Sequence, residues 1–215
     1  MLNVFQTATE PIGMRRRAFL ASALTAASTT VAGCGSADSR TEHTDPTVKH
    51  DDHDAAKYLT FGGDDAELAT VGVDPNPRPL PKALFVSISH TEDTRLQSLT
   101  QRFTAPDSDG TPPQLAVQDS SESNDVPHPP VSLSQDGAAA VVDVDEFGDL
   151  ADETVFVPLT VTRWPESARR LVVENTAELV ETGAADHTHV LDGRLEFEFT
   201  TETDTQTTDT SDSSG

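Results

Sequence analysis

The chain has very few of the residues on which many secreted proteins depend. Cys34 is its only cysteine, and both methionines, Met1 and Met14, precede it. A single cysteine allows neither an intramolecular disulfide nor a cysteine-based zinc site. A blue-copper centre needs a cysteine thiolate and usually an axial methionine. Because no methionine follows Cys34, the sequence excludes that class.

Basic residues are scarce as well. The chain has 37 Asp and Glu against 14 Lys and Arg, and its net charge is −23. Such a surface repels phosphate backbones, so we expect no nucleic-acid partner. It also repels itself in dilute buffer, whereas 1 M salt shortens the screening length to about 3 Å. The composition therefore indicates a protein adapted to high salt.

The motifs that identify the main enzyme classes are also missing. The sequence has no G-x-S-x-G elbow, no P-loop, no G-x-G-x-x-G and no H-E-x-x-H. Catalytic groups can still converge from distant positions, but no residue is assigned a catalytic role. A function without catalysis is favoured.

Residues 1–33 have the pattern of an export signal. The segment contains Arg16, Arg17, Phe19 and Leu20, and Val31-Ala32-Gly33-Cys34 follows a short, weakly apolar run. That run is shorter than the roughly 20 residues needed to span a bilayer. These residues resemble a twin-arginine signal joined to a lipobox, which implies cleavage before Cys34 and a lipid on its sulfur.

The signal and the composition together resemble secreted lipoproteins of haloarchaea. Cleavage before Cys34 would leave 11 basic and 36 acidic residues, a net charge of −25. The resemblance implies a protein on the extracellular face of the cell membrane, attached to lipid through Cys34. Envelope or surface-layer proteins would be its other partners.

The rest of the chain divides by composition. Residues 34–56 and 201–215 are polar and have almost nothing to bury, so we predict a disordered spacer and a disordered acidic tail rich in Thr and Ser. Residues 57–200 are expected to form one domain.

Apolar residues in this domain alternate with a period of two, which is typical of strands with one buried face. The clearest segments are 84–88, 155–161 and 195–199. We predict an all-β fold, an immunoglobulin-like antiparallel β-sandwich. Residues 93–104 could instead be helical, because Leu96, Leu99 and Phe103 have helical spacing. Residues 165–182 could be helical as well, because Pro165 stands at the start of this segment and Gly183 follows it. The fold would then be α+β.

Two Asp-Gly pairs predict tight hairpin turns. A turn at Asp136-Gly137 pairs Gln135 with Ala138 and Leu133 with Ala140. A turn at Asp192-Gly193 pairs strands on either side of it.

The second hairpin would carry the best candidate site. It places His187, His189, Glu196 and Glu198 on one outward face, where directly opposite Cβ atoms lie about 4.5–5.5 Å apart. Two imidazoles and two carboxylates at that spacing could hold zinc or a similar divalent ion. The same residues also fit ordinary charge pairing on a solvent-facing strand, which needs no cofactor.

Two functions follow from these features. The first is a lipid-anchored binding or structural module of the cell envelope. The alternative is a metal-binding or metal-dependent envelope protein that uses the His/Glu cluster.

Overall fold

The computed structural model describes residues 39–50, 55–63, 66–76, 80–118, 127–183 and 187–199. The chain divides into two units, Met1–Ser36 and Ala37–Gly215, and every described residue belongs to the second. Cys34, the twin-arginine residues and the tail 201–215 lie outside the described residues.

The described chain is built from twelve strands. They are β1 (Ser39–His43), β2 (Thr47–His50), β3 (Lys57–Gly63), β4 (Ala66–Asn76), β5 (Ala83–His90), β6 (Thr94–Thr104), β7 (Gln114–Val117), β8 (Ser132–Asp136), β9 (Ala139–Val144), β10 (Val155–Arg163), β11 (Arg170–Glu181) and β12 (His187–Glu198). A short 3₁₀ helix, Gly148–Asp152, precedes β10. The described ranges include no α-helix, and none of their helices is long and apolar enough to cross a bilayer.

The strands form two six-stranded sheets. Their orders are β1-β12-β11-β6-β9-β8 and β2-β3-β4-β5-β10-β7. Every pair is antiparallel except β1 with β12. The prediction of an all-β sandwich built from largely antiparallel sheets is confirmed.

The core lies between the inward faces of the two sheets. The alternating residues that the sequence indicated are buried: Leu84, Val86 and Ile88 in β5, Val155, Val157 and Leu159 in β10, Leu195 and Phe197 in β12, and Phe199 directly after β12. Opposing faces of this kind remove apolar area from water, which stabilises a sandwich by about 25 cal/mol per Å².

The helical alternative for 93–104 and 165–182 is wrong, because β6 and β11 occupy these segments. The spacing of the apolar residues in β6 has a structural cause. Leu179 pairs with Leu96, whereas Glu178 pairs with Ser98, so Gln97 is an extra residue in β6. This bulge reverses the alternation, so that Leu96 and Leu99 both point inward although they are three residues apart.

The hairpin predicted near residue 136 is confirmed, but its register differs by two residues. Asp136 pairs with Ala139 and Gln135 with Ala140, so the two loop residues are Gly137 and Ala138. Gly137 has φ 59°, a positive value that glycine adopts at the first loop position of a tight hairpin.

The hairpin predicted at Asp192-Gly193 is wrong. Both residues lie inside β12, where they pair with Thr176 and Asn175 of β11. The glycine serves close packing instead of a turn, since a Cβ at Gly193 would lie 2.7 Å from Leu59 Cδ1 in the opposite sheet.

The prediction of a disordered spacer over 34–56 is wrong for its described part. β1 and β2 occupy most of residues 39–50 and pair with the edges of the two sheets, β1 with β12 and β2 with β3. Their side chains are almost all exposed. Backbone hydrogen bonds to the sheet edges hold these strands in place. The number of buried apolar residues in a segment does not reveal such bonds.

The end of β3, where its register with β4 shifts, supplies a stability prediction. Gly62 has φ 129°, and a Cβ there would lie 2.2 Å from the backbone oxygen of Ala66. We expect Gly62→Ala to destabilise the fold by about 3 kcal/mol, because it adds backbone strain to a clash with main-chain atoms. Thermal unfolding followed by circular dichroism should show a melting temperature lower by roughly 10 °C.

Gly63 is the matched control. Nothing lies within 4 Å of a Cβ built there, and its φ is not positive. Gly63→Ala should change stability by less than about 0.5 kcal/mol. Equal melting temperatures for the two variants would contradict this description of the end of β3.

Candidate metal centre

The four predicted ligands do not come together. Because β12 is one continuous strand of 12 residues, Glu196 and Glu198 lie near its far end. At about 3.3 Å per residue, some 30 Å of strand separates His187 from Glu196. The predicted four-residue cluster is therefore wrong as a single site.

Glu196 and Glu198 have another role. They are exposed on the outer face of the sheet. Arg194 Nη2 lies 2.6 Å from Glu196 Oε1, and Glu198 pairs across the ladder with Arg170. The hydrogen bond to Asp107 is the main cause that raises the pKa of Arg170, and the charges of Glu196 and Glu198 add to it. This face is an ordinary network of exposed ion pairs.

The two histidines lie on the inward face of β12. They are in phase with Leu191 and Leu195, both of which are buried in the core. His187 and His189 occupy the start of the strand, where the core ends, and they are partly buried. The imidazoles therefore lie at one end of the sandwich, against the space between the sheets.

Glu181 joins the histidines from the end of the neighbouring strand, β11. Its Oε1 lies 3.2 Å from His189 Nε2, and the side chains are 42% and 13% exposed respectively. One ligand atom from each of Glu181, His187 and His189 lies within 4.8 Å of the other two. The rings of His187 and His189 meet edge to face, with centroids 4.6 Å apart.

β1 covers the histidines from the other side. Its parallel register places Ser39 opposite His187 and Thr41 opposite His189. Ser39 Oγ forms a hydrogen bond with His187 Nδ1, and Thr41 Oγ1 lies 2.9 Å from His187 Nε2. Both ring nitrogens of His187 therefore have hydroxyl partners on β1.

A third histidine, His43, comes from the end of β1. Its Nε2 forms a 3.1 Å hydrogen bond with His189 Nδ1, and the ring centroids are 5.3 Å apart. Partial burial lowers the pKa of His43, and the charges that His189 and His187 carry when protonated lower it further. Protonation of His43 is thus disfavoured, which keeps it able to accept a hydrogen bond.

The cluster has the chemistry of a transition-metal site. Neutral imidazole nitrogens with a carboxylate suit zinc, copper or nickel, and a zinc ion takes such ligands at about 2.0–2.2 Å. Ligands around a tetrahedral ion lie about 3.4 Å apart, and the three ligand atoms here all lie within 4.8 Å of one another. The Glu181 side chain is partly exposed, so its carboxylate can rotate toward an ion.

A cavity of about 600 Å³ opens beside the cluster. His189 and Glu181 form part of its wall, together with Glu67 and Asp93. A hydrogen bond from Thr70 is the main cause that lowers the pKa of Glu67, so this carboxylate stays ionised. The carboxylates around the opening attract cations and repel anions.

The sequence pattern indicated two of the three ligands. It missed Glu181 because the erroneous hairpin paired the histidines with the carboxylates of their own strand. It missed His43 because that residue lies 146 positions from His189, in a segment that the composition assigned to a spacer. No local motif connects these strands.

A family model described as a domain of unknown function (DUF8121) matches residues 40–201. The match begins inside β1 and ends just after the last described strand, so it includes all three candidate ligands and His43. No curated protein matches the chain.

Proposed function

The chain belongs to the DUF8121 family of unknown function, and we propose that it is a lipid-anchored protein of the cell envelope that binds a divalent transition-metal ion. The ion is held by Glu181, His187 and His189. The protein acts as a binding module on the extracellular face of the membrane and has no assigned catalytic role.

The location is supported by the N-terminal sequence. Arg16 and Arg17 with Phe19 and Leu20 provide the export signal, and Cys34 provides the lipid-attachment site. Lipid attachment through two chains gives stable anchoring where a single chain is marginal. The acidic composition fits exposure to a medium of high ionic strength.

The metal function depends on one observation, the convergence of Glu181, His187 and His189 at the open end of the core. Inward-facing positions of a sandwich strand are normally apolar. A module that only contacts envelope or surface-layer proteins gives no reason to place three metal-ligating side chains on such positions. Metal binding does give a reason.

The test is the stoichiometry of bound zinc. We expect the purified protein, stripped with a chelator and dialysed in high salt, to bind one Zn²⁺ per chain, measured by elemental analysis and titration calorimetry. An excess of Mg²⁺ should not displace it, because exposed carboxylates prefer hard cations whereas imidazoles select zinc. The double variant His187→Ala, His189→Ala should lose this ion.

Two controls separate this site from other histidines and carboxylates. His128→Ala removes a histidine whose Nδ1 hydrogen-bonds the backbone oxygen of Pro129, and this variant should keep one equivalent of zinc. The double variant Glu196→Gln, Glu198→Gln should also keep it, since these residues belong to the outer face. If the wild-type protein binds no zinc, or if the His187/His189 variant binds as much as the wild type, the proposed metal function is wrong.

A further inference from the structure

β1 is held to the fold in an unusual way. It is five residues long, it pairs with β12 alone, and this is the one parallel pair among the described strands. Ser39, Arg40, Thr41 and Glu42 are all exposed. A short exposed strand with one neighbour buries little, so side-chain contacts add to the backbone hydrogen bonds that attach it to β12.

Those contacts are made mainly with the proposed metal ligands. Every second side chain of β1, at Ser39, Thr41 and His43, reaches a ring nitrogen of His187 or His189. A further contact is an ion pair of 3.3 Å between Arg40 and Glu178, both partly exposed. Exposed pairs of this type contribute little.

We propose that β1 forms the outer sphere of the metal site, and that a bound ion locks this strand onto β12. This inference rests on the proposed function. Ser39, Thr41 and His43 are positioning residues, because they act on the metal through His187 and His189.

His43 shows how the coupling works. Without metal, His189 Nε2 donates to Glu181 Oε1, so His189 Nδ1 accepts from His43 Nε2. A metal ion bound between His189 Nε2 and Glu181 replaces the proton there. Neutral His189 then carries its proton on Nδ1, and His43 changes to the tautomer that has its proton on Nδ1, so that His43 Nε2 accepts a hydrogen bond from His189 Nδ1. A ligating histidine commonly uses its second nitrogen in this way, and the bond fixes the orientation of the ring.

His187 is held by both hydroxyls. A metal ion would take one of its ring nitrogens and displace the hydroxyl there. Its positive charge would polarise the N–H at the other nitrogen, which then donates a stronger hydrogen bond to the remaining hydroxyl, Ser39 Oγ or Thr41 Oγ1. The ion therefore favours the arrangement in which β1 is docked. By linkage, a docked β1 raises the affinity for the ion by the same factor.

Hydrogen–deuterium exchange of the full chain carrying Cys34→Ser, with and without Zn²⁺, tests the coupling. We expect saturating Zn²⁺ to slow amide exchange in residues 39–43 at least about tenfold. Exchange in β2, the edge strand of the other sheet, should stay unchanged and serves as the internal control. The His187→Ala, His189→Ala variant should show no zinc effect on β1.

Variants of His43 test the positioning role. His43→Ala should weaken Zn²⁺ binding about 10- to 100-fold and alter the visible absorption spectrum of the Co²⁺-loaded protein. His43→Gln, whose amide oxygen can accept from His189 Nδ1, should restore much of the affinity and the wild-type spectrum. A variant that no longer folds would also lose the protection of the β11 amides from hydrogen exchange. Exchange in β11 therefore distinguishes unfolding from a loss of metal affinity.

The outcomes separate the two proposals. If Zn²⁺ binds through His187 and His189 but exchange in β1 does not change, and His43→Ala binds as tightly as the wild type, the coupling is wrong and the metal function stands. If the wild-type chain binds no Zn²⁺, both are wrong.

Discussion

Cys34→Ser is expected to move the protein from the membrane fraction to the soluble fraction, or to leave it as an unprocessed precursor. The sulfur of Cys34 is the only thiol that the chain offers for lipid attachment. Serine has nearly the same size but cannot form the thioether. Fractionation of an exporting host, followed by mass spectrometry of the N-terminal peptide, measures both outcomes.

Ser36→Ala is the matched control, because it changes a neighbouring residue outside the lipobox. This variant should remain in the membrane with a lipid mass on Cys34. Full retention of Cys34→Ser in the membrane, or an intact leader on the wild-type protein, would contradict the proposed location.

Lowering the salt concentration is expected to unfold the protein. The mature chain would carry a net charge of −25, and the described basic residues are mostly already paired with acidic ones, as Arg102 is with Asp136 and Glu174. The remaining carboxylates repel one another over about 10 Å at 0.1 M salt but over about 3 Å at 1 M. We expect the melting temperature to fall steeply between 3 M and 0.1 M NaCl.

Sucrose at 1 M is the control for this experiment. It strengthens the effective burial of apolar surface but does not screen charge, so it should restore much less stability at 0.1 M NaCl than added salt does. A melting temperature that stays constant from 3 M to 0.1 M NaCl would contradict the proposed adaptation to salt.

Much of the fold follows from local pattern. Period-two segments such as 84–88 and 195–199 are strands because one face packs between the sheets while the other meets solvent. β6 is an exception, because a β-bulge interrupts its period-two alternation. Its bulge at Gln97 gives Leu96 and Leu99 a helical spacing, and a single sequence contains no sign of an extra residue in a strand.

Glycine in a strand misled the prediction for a different reason. Asp-Gly is a strong turn signal, but Gly193 exists because Leu59 and Phe61 of the opposite sheet approach the backbone of β12. Tertiary contact therefore sets this residue, and local sequence cannot distinguish the two causes. The predicted set of metal ligands depended on the predicted turn at 192–193. The wrong turn therefore paired His187 and His189 with Glu196 and Glu198, and the prediction did not include Glu181.

The prediction of a disordered spacer over 34–56 failed because amino-acid composition does not show whether a segment pairs with the edge of a sheet. Ser39, Thr41 and His43 bury little, yet β1 adds a strand to the sheet and completes the surroundings of both histidines. Polarity indicated a segment without a core. It did not indicate that backbone hydrogen bonds and imidazole contacts can order such a segment.

Anomalous X-ray diffraction at the zinc absorption edge, from crystals grown in high salt with Zn²⁺, tests the central claim most directly. The proposed site predicts one strong peak per chain, about 2.0–2.2 Å from ligand atoms of Glu181, His187 and His189, with His43 Nε2 next to His189 Nδ1. A map with no peak at this end of the sandwich, or with zinc bound instead among exposed carboxylates such as Glu196 and Glu198, would contradict it.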